Sequence, residues 1–250
     1  MLKIENLSKV FNAGTVNEKA ALNGLDLTLK NGDFVTVIGG NGAGKSSLLN
    51  AIAGTWKPDS GKIYIDDVDV TGMPEYKRAK FLGRVFQDPM MGTAATMGIE
   101  ENLALAARRG RVRGLKWGIS NKEREEYRNL LATLGLGLED RLSNKVGLLS
   151  GGQRQAITLL MASLRKPKLL LLDEHTAALD PKTAQKVLEI SDKIVEENNL
   201  TTLMITHNMK DAIAHGNRLI MMNEGKIILD ISGEEKKNLT VKDLLQYFSS

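Results

Sequence analysis

The chain has 250 residues, 42% hydrophobic and 26% charged, with a formal net charge of +4 at pH 7 and no cysteine. That length supports one well-buried domain or two closely linked lobes, while the lack of cysteine excludes disulfides and thiolate metal sites. The charge bias is too mild to predict nucleic-acid or lipid binding by itself.

No window approaches the run of about 20 apolar residues that spans a bilayer. Met1-Leu2-Lys3-Ile4-Glu5 carries charge where a secretion signal needs apolar residues. The expectation is a cytoplasmic protein that depends on another chain for any step across a membrane.

Residues 2–7, 22–29 and 62–65 have strand-like apolar patterning and are expected to form an antiparallel sheet. Inside that region the apolar run Phe34 to Ile38 leads into Gly39-Gly40-Asn41-Gly42-Ala43-Gly44-Lys45-Ser46. This fits the phosphate-loop pattern G-x-x-x-x-G-K-[ST]. Glycines let backbone N–H groups converge on phosphate oxygens without an obstructing Cβ. Ser47 to Ala53 reads as the start of a helix whose N-terminal dipole favours the same negative charge. Lys45 is expected to reach the β- and γ-phosphates and Ser46 to ligate Mg²⁺. The chain is therefore expected to bind a nucleoside triphosphate.

A further strand is predicted over 82–86. From about Pro89 to Leu149 strand patterning disappears and amphipathic helices dominate. Within that stretch, Arg108-Arg109-Gly110-Arg111-Val112-Arg113-Gly114-Leu115-Lys116-Trp117 fits either a solvated loop or helix end, or a surface that binds lipid headgroups or RNA or docks on a partner. Leu149-Ser150-Gly151-Gly152-Gln153 closes it. A serine before two glycines, followed by an apolar-periodic run through Leu164, reads as a second helix N-terminus with open donors. One nucleotide cannot easily sit on two such helix ends of one chain, which points to a partner subunit's nucleotide.

Four consecutive leucines, Leu169 to Leu172, suit a central parallel strand covered on both faces. At its carboxyl end Asp173 is placed to hold Mg²⁺ and Glu174 to act as general base on water. Parallel strands are expected again at 201–205 and 219–222. The turn Asn223-Glu224-Gly225 then leads to a last strand, 226–229. Residues 240–248 read as a short helix with Leu244, Leu245 and Phe248 on one face.

Taken together, and over essentially the whole chain, these motifs resemble the ATP-binding-cassette (ABC) ATPases, whose signature sequence is LSGGQ. The resemblance implies an α/β P-loop NTPase cassette with a RecA-like parallel sheet core, an antiparallel β subdomain and an inserted α-helical subdomain. It implies one domain over 1–250, with the catalytic core at about 1–88 and 155–250. The helical subdomain, ending in the signature, would cover about 89–154.

The resemblance also assigns roles. Gln87 matches the glutamine that senses Mg²⁺ and γ-phosphate and touches the partner domain. Asp180 lies in Ala178-Leu179-Asp180, the loop that crosses a dimer interface. His207 matches the histidine that contacts the γ-phosphate, and Phe11 the ring that stacks on adenine. Two chains would meet head to tail around two ATP molecules. Each nucleotide would lie between the loop of one chain (Gly39, Asn41, Gly42, Ala43, Gly44, Lys45, Ser46, Ser47) and Ser150, Gly151, Gly152 and Gln153 of the other. His175 stands where the family has proline, and fits either a titrating group beside the γ-phosphate or a packing substitution.

The implied partners are a separate integral membrane permease and an extracytoplasmic solute-binding protein. The cassette would sit on the inner face of the membrane, powering uptake of an amino acid or related small organic solute. The helical subdomain faces the permease in this family, so the basic stretch is expected to dock there. The alternative is a soluble ABC ATPase acting on nucleic acid or ribosomes. A single signature motif, no long heptad run and no cysteine speak against it, and no specific nucleic acid is expected. A P-loop kinase or GTPase leaves Leu149 to Gln153 unexplained.

Overall fold

The computed structural model describes residues 1–110 and 118–249. Arg111 to Trp117, most of the basic stretch, lie outside the described residues. Strands β1 (Leu2–Phe11), β2 (Lys19–Leu29), β4 (Ser60–Ile65) and β5 (Val68–Asp69) form a four-stranded antiparallel sheet in the order β2-β1-β4-β5. A six-stranded sheet runs β10-β9-β3-β8-β7-β6. It comprises β3 (Phe34–Gly39), β6 (Leu82–Val85), β7 (Leu169–Asp173), β8 (Thr202–Ile205), β9 (Arg218–Asn223) and β10 (Lys226–Ser232). All its pairings are parallel except the β9–β10 hairpin at one edge.

The leucine run explains why β7 is central. Side chains alternate across a strand, so Leu169 and Leu171 enter the core shared with the antiparallel sheet, while Leu170 and Leu172 enter the core on the opposite face. All four are fully buried, each worth about 1.5–3 kcal/mol relative to exposure. Leu203 and Ile205 of β8 face the first core and Met204 the second, by the same rule.

Helix α1 (Lys45–Ala53) packs into the first core through Leu48, Leu49 and Ile52. It begins at Lys45, two residues earlier than the expected Ser47, with Gly44 as its cap at φ 103°. A Cβ on Gly44 would press on the carbonyl of Ala21 and on Gly225. Its C-terminal end is sealed from a distance. Helix α2 (Glu75–Arg78) supplies Arg78, 1% exposed, whose Nη1 donates to the Ala51 and Ile52 carbonyls at 2.7 and 2.9 Å. Its Nε and Nη2 donate to Met73 O and Thr71 O.

Between β6 and β7 lie α3 (Ile99–Ala107), α4 (Asn121–Ala132), a short 3-10 turn (Val146–Leu148) and α5 (Gly151–Ser163). The described residues there form no strand, only an isolated bridge between Gly98 and Lys145. Ile99, Leu103, Tyr127, Leu131 and Leu138 join α5 in the second core. Helix α6 (Pro181–Asn198) covers that same face of the sheet. Helices α7 (Met209–Ala214), α8 (Gly233–Lys237) and α9 (Val241–Ser249) complete the chain. Leu244 of α9 packs in a small third core beneath β9 and β10. Among the described residues no helix is long and apolar enough to cross a membrane.

Candidate functional site: a phosphate loop with an acid and an imidazole

The loop after β3 opens a cleft of about 230 Å³ lined by Phe11, Lys19, Ala21, residues 41–47, Glu174 and His207. Gly39 stands behind this wall, where its carbonyl accepts from Lys45 Nζ at 2.7 Å; the Gly40 carbonyl accepts at 3.1 Å. Burial pushes the Lys45 ammonium below the usual lysine range, and the charge of Glu174 opposes that shift. The loop thus presents a desolvated cation together with the open N–H groups of the first turn of α1, the chemistry of a phosphate site.

Glu174 follows the last residue of β7, with φ 46° in the left-handed region that a glutamate seldom adopts. Its N–H donates to Ile205 O at 3.1 Å, so the bend is held by β8. That turn brings the carboxylate to the loop cleft, where His207 Nε2 lies 2.6 Å from Oε1. Glu174 is mostly buried and His207 half-exposed, which leaves the imidazole accessible from the mouth of the cleft. Backbone strain of this kind, with its geometry over-determined by neighbours, clusters at catalytic positions.

Asp173 and Gln87 line a second, adjoining cleft of about 690 Å³, together with Asn50, Arg84 and Met91. The oxygen donors assigned to the metal, from Ser46, Gln87 and Asp173, are a hydroxyl, an amide and one carboxylate. Such a hard, thinly charged set suits Mg²⁺ completed by phosphate oxygens. Among the described residues no group of three or more His, Cys, Asp or Glu could hold a metal unaided. The side chains fit a metal brought with a nucleotide.

Phe11 is the last residue of β1 and does line the loop cleft. Its ring meets Trp56 edge to face, with centroids 5.5 Å apart, and Lys9 Nζ lies within 5.7 Å of both rings. Ser150 caps α5 and is exposed outside both clefts; its Oγ accepts from Gln153 N, and Gln153 Oε1 accepts from Ser150 N. Gly151 packs near Leu179, and a Cβ on Gly152 would drive into the Thr183 side chain. Asp180 caps α6, accepting from Thr183 N at 3.1 Å. Exposed Ser150 and Gly151, buried Gly152 and the 178–180 loop therefore lie together at one corner, outside the lining of the phosphate-loop cleft of the same chain.

His175 resolves toward packing. It is 2% exposed, beneath α6, with Nε2 3.0 Å from Ser191 Oγ. The serine gives its one proton to Val187 O at 2.8 Å, so the imidazole is the donor and carries hydrogen on Nε2. Burial pushes its pKa down to about 4, with nearby His215 acting in the same direction and Asp192 opposing. The unfolded chain, near 6.5, therefore takes up this proton first as pH falls. The resulting loss of stability begins below about pH 6.5 and levels off near pH 4, at roughly 3 kcal/mol. His175→Leu is expected to remove that loss. His215, raised by its hydrogen bond to Asp192, has the opposite sign in both proteins and cancels from the comparison. Parallel urea-unfolding free energies for parent and variant across this range would refute the assignment.

Two side chains at the clefts escaped the sequence. Lys19, paired in register with Phe11, brings its ammonium beside Gly42. Arg84 reaches Asp173 at 3.3 Å. A charged residue within the short buried strand Leu82–Val85 was the available signal for Arg84; Lys19 had none.

Residues 22–177 match the family model described as ABC transporter. The chain is 48% identical over 248 residues to a tyrosine transport ATP-binding protein of Clostridioides difficile, covering 99% of this chain and 98% of that one. It is 36% identical over 232 residues to the methionine import ATP-binding protein MetN of Corynebacterium diphtheriae, covering 91% of this chain and 64% of that one. Among solved structures it resembles a dimeric ATP-binding cassette in a post-hydrolysis state bound to ADP and Pi. The TM-score is 0.78 at 30% identity, over 93% of this chain and 98% of the other. Phosphate loop, strained acid, apposed imidazole and capped signature helix thus sit in one cassette, and the chain belongs to the ABC transporter family as its ATP-binding, ATP-hydrolysing subunit.

Proposed function

We propose that this cassette powers uptake of an amino acid or a related small organic solute through a separate membrane permease, on the inner face of the membrane. The names of the tyrosine-transport and methionine-import relatives support the solute class. An extracytoplasmic solute-binding protein belongs to the same reading. The carrying observation is the contact of Glu174 with His207 at the phosphate loop, while Ser150 lies exposed outside that cleft.

In this reading Lys45 neutralises the β- and γ-phosphates, and Ser46, Gln87 and Asp173 hold Mg²⁺, which supplies charge stabilisation when bound. Glu174 accepts a proton from water, and His207 orients that carboxylate and reaches the γ-phosphate. Phe11 offers a ring to adenine. Ser150, Gly151, Gly152 and Gln153 close on the partner chain's nucleotide, with Asp180 at the crossing. A groove of about 510 Å³ between the core and the helical region carries exposed Tyr76 and Met91, with Leu105 and Arg109. Its mixed lining, apolar side chains beside Arg84, Arg108 and Arg109, suits an amphipathic helix of the permease.

Ser150→Arg tests the two-chain site. A single chain should bind ATP within about twofold of the parent, while bulk and charge block ATP-dependent dimers on gel filtration. Loss of ATP binding by the single chain would show that Ser150 serves its own nucleotide. The solute class is tested by tyrosine and methionine uptake into proteoliposomes holding the cassette and its permease.

A further inference from the structure

Arg84 occupies a junction. Register places it on β6 opposite Leu171 of β7, one strand from Asp173. Its Nη2 donates to Asn50 Oδ1 at 2.8 Å and to Asp173 Oδ2 at 3.3 Å. Asn50 lies one helical turn beyond Ser46 on α1, so the two share a face. The guanidinium stacks 4.6 Å from the Phe86 ring centroid, and its Nε is buried without a hydrogen-bond partner. Arg84 and Asp173 are mostly buried, at 15% and 18% exposure. The same side chain lines the cleft of Gln87 and Asp173 on one side and the outer groove of Tyr76 and Leu105 on the other.

The pair is incompletely made. Charge-assisted N–H···O contacts run about 2.7–2.9 Å and arginine prefers a two-pronged grip. Here one nitrogen is shared between a neutral amide, which it holds closely, and the carboxylate, which it holds at longer range. Asn50 and Phe86 keep the guanidinium in place whatever happens at Asp173. Bringing a divalent cation to that carboxylate sets it against a fixed positive charge in a poorly solvated corner.

We propose that Arg84 is a positioning residue, a built-in counter-cation that holds the Asp173 carboxylate and sets the Mg²⁺ concentration at which nucleotide binding becomes metal-dependent. This rests on the reading of Asp173 as the metal carboxylate. Asn50 tunes the contest by drawing Nη2 away from Asp173. Because Arg84 also walls the outer groove, whatever fills that groove touches the residue that competes for Asp173.

The test follows binding of a MANT-labelled imido analogue of ATP, which is not turned over, as MgCl₂ is raised from an EDTA baseline. Arg84→Met should lower the half-saturating Mg²⁺ concentration about fivefold. Arg84→Lys, which keeps the charge, should stay within about twofold of the parent. Asn50→Leu leaves Nη2 with Asp173 alone and should raise the Mg²⁺ requirement about threefold. An ion pair that only supports the fold would lower the melting temperature in Arg84→Met without moving the Mg²⁺ midpoint. An unchanged or raised midpoint in that variant overturns the proposal. Should Arg84→Met fail to fold, Asn50→Leu decides, and an unchanged midpoint there overturns it equally. Asp173→Asn separates the two levels. If it leaves the midpoint unmoved, the metal reading of Asp173 falls and the proposal with it; if it raises the midpoint while Arg84→Met does not lower it, the Arg84 proposal alone falls.

Discussion

Replacing Glu174 by glutamine is expected to leave ATP binding intact and to lower turnover by roughly 10²–10⁴-fold. The amide keeps the length and shape of the side chain and can still accept from His207 Nε2, now 2.6 Å from Oε1. It cannot take a proton from water. The backbone at this position, φ 46°, is as accessible to Gln as to Glu, so the substitution leaves the bend between β7 and the next residues alone. A phosphate-release assay measures the loss, and gel filtration with ATP should show a stable dimer because hydrolysis no longer opens it. Turnover within a few-fold of the parent would remove Glu174 from the role of base.

Arg78→Met is expected to destabilise the fold by roughly 3–5 kcal/mol, although Arg78 touches no part of either cleft. Its guanidinium donates four hydrogen bonds to carbonyls of Thr71, Met73, Ala51 and Ile52. The last two belong to the final turn of α1, where carbonyls have no partner within the helix and the dipole is negative. Methionine fills a similar volume but removes the side-chain donor from all four carbonyls, leaving Ala51 O only its contact with Gly54 N at 3.2 Å. Urea unfolding at constant m-value gives the loss directly. A change below about 1 kcal/mol would mean that the carbonyls find other donors. Because α1 carries Lys45 and Ser46 at its opposite end, nucleotide affinity should weaken in the same variant.

These two residues differ in how openly the sequence announced them. Glu174 was legible because its signal is local: a run of leucines that only a doubly covered strand tolerates, ending in acids. The phosphate loop and the serine-capped signature helix are local in the same sense, since glycines and capping residues act within one turn of chain. Arg78 gave no such signal, as it acts on carbonyls 26 and 27 residues earlier through a helix of four residues. Lys19, and the partners of Arg84 as distinct from its odd charge within a buried strand, depend on which strands pair and in what register, which no short window contains. The contact of Glu174 with His207 likewise needs β7 and β8 to be neighbours. The edge-to-face meeting of Phe11 with Trp56 was hidden for the same reason, since Trp56 lies in the loop after α1. His175 is decided by burial, which the residues beside it in sequence do not reveal.

If α5 closes on a partner's nucleotide as proposed, its cap sets how tightly two such chains hold together. Ser150 Oγ is already engaged with Gln153 N, and the Gln153 side chain with Ser150 N. In that proposed site a phosphate arriving at this helix end would meet an occupied seat: the hydroxyl stands in for the anion, and binding would be an exchange of acceptors. A serine cap contributes about 1 kcal/mol, so the exchange would hold back roughly fivefold in affinity at each nucleotide. The helix end stays stable when the chain is alone. The same competition makes separation easier once the anion leaves, because the departing phosphate is replaced at once from within the chain. Reversibility is thus written into the motif as much as capture is.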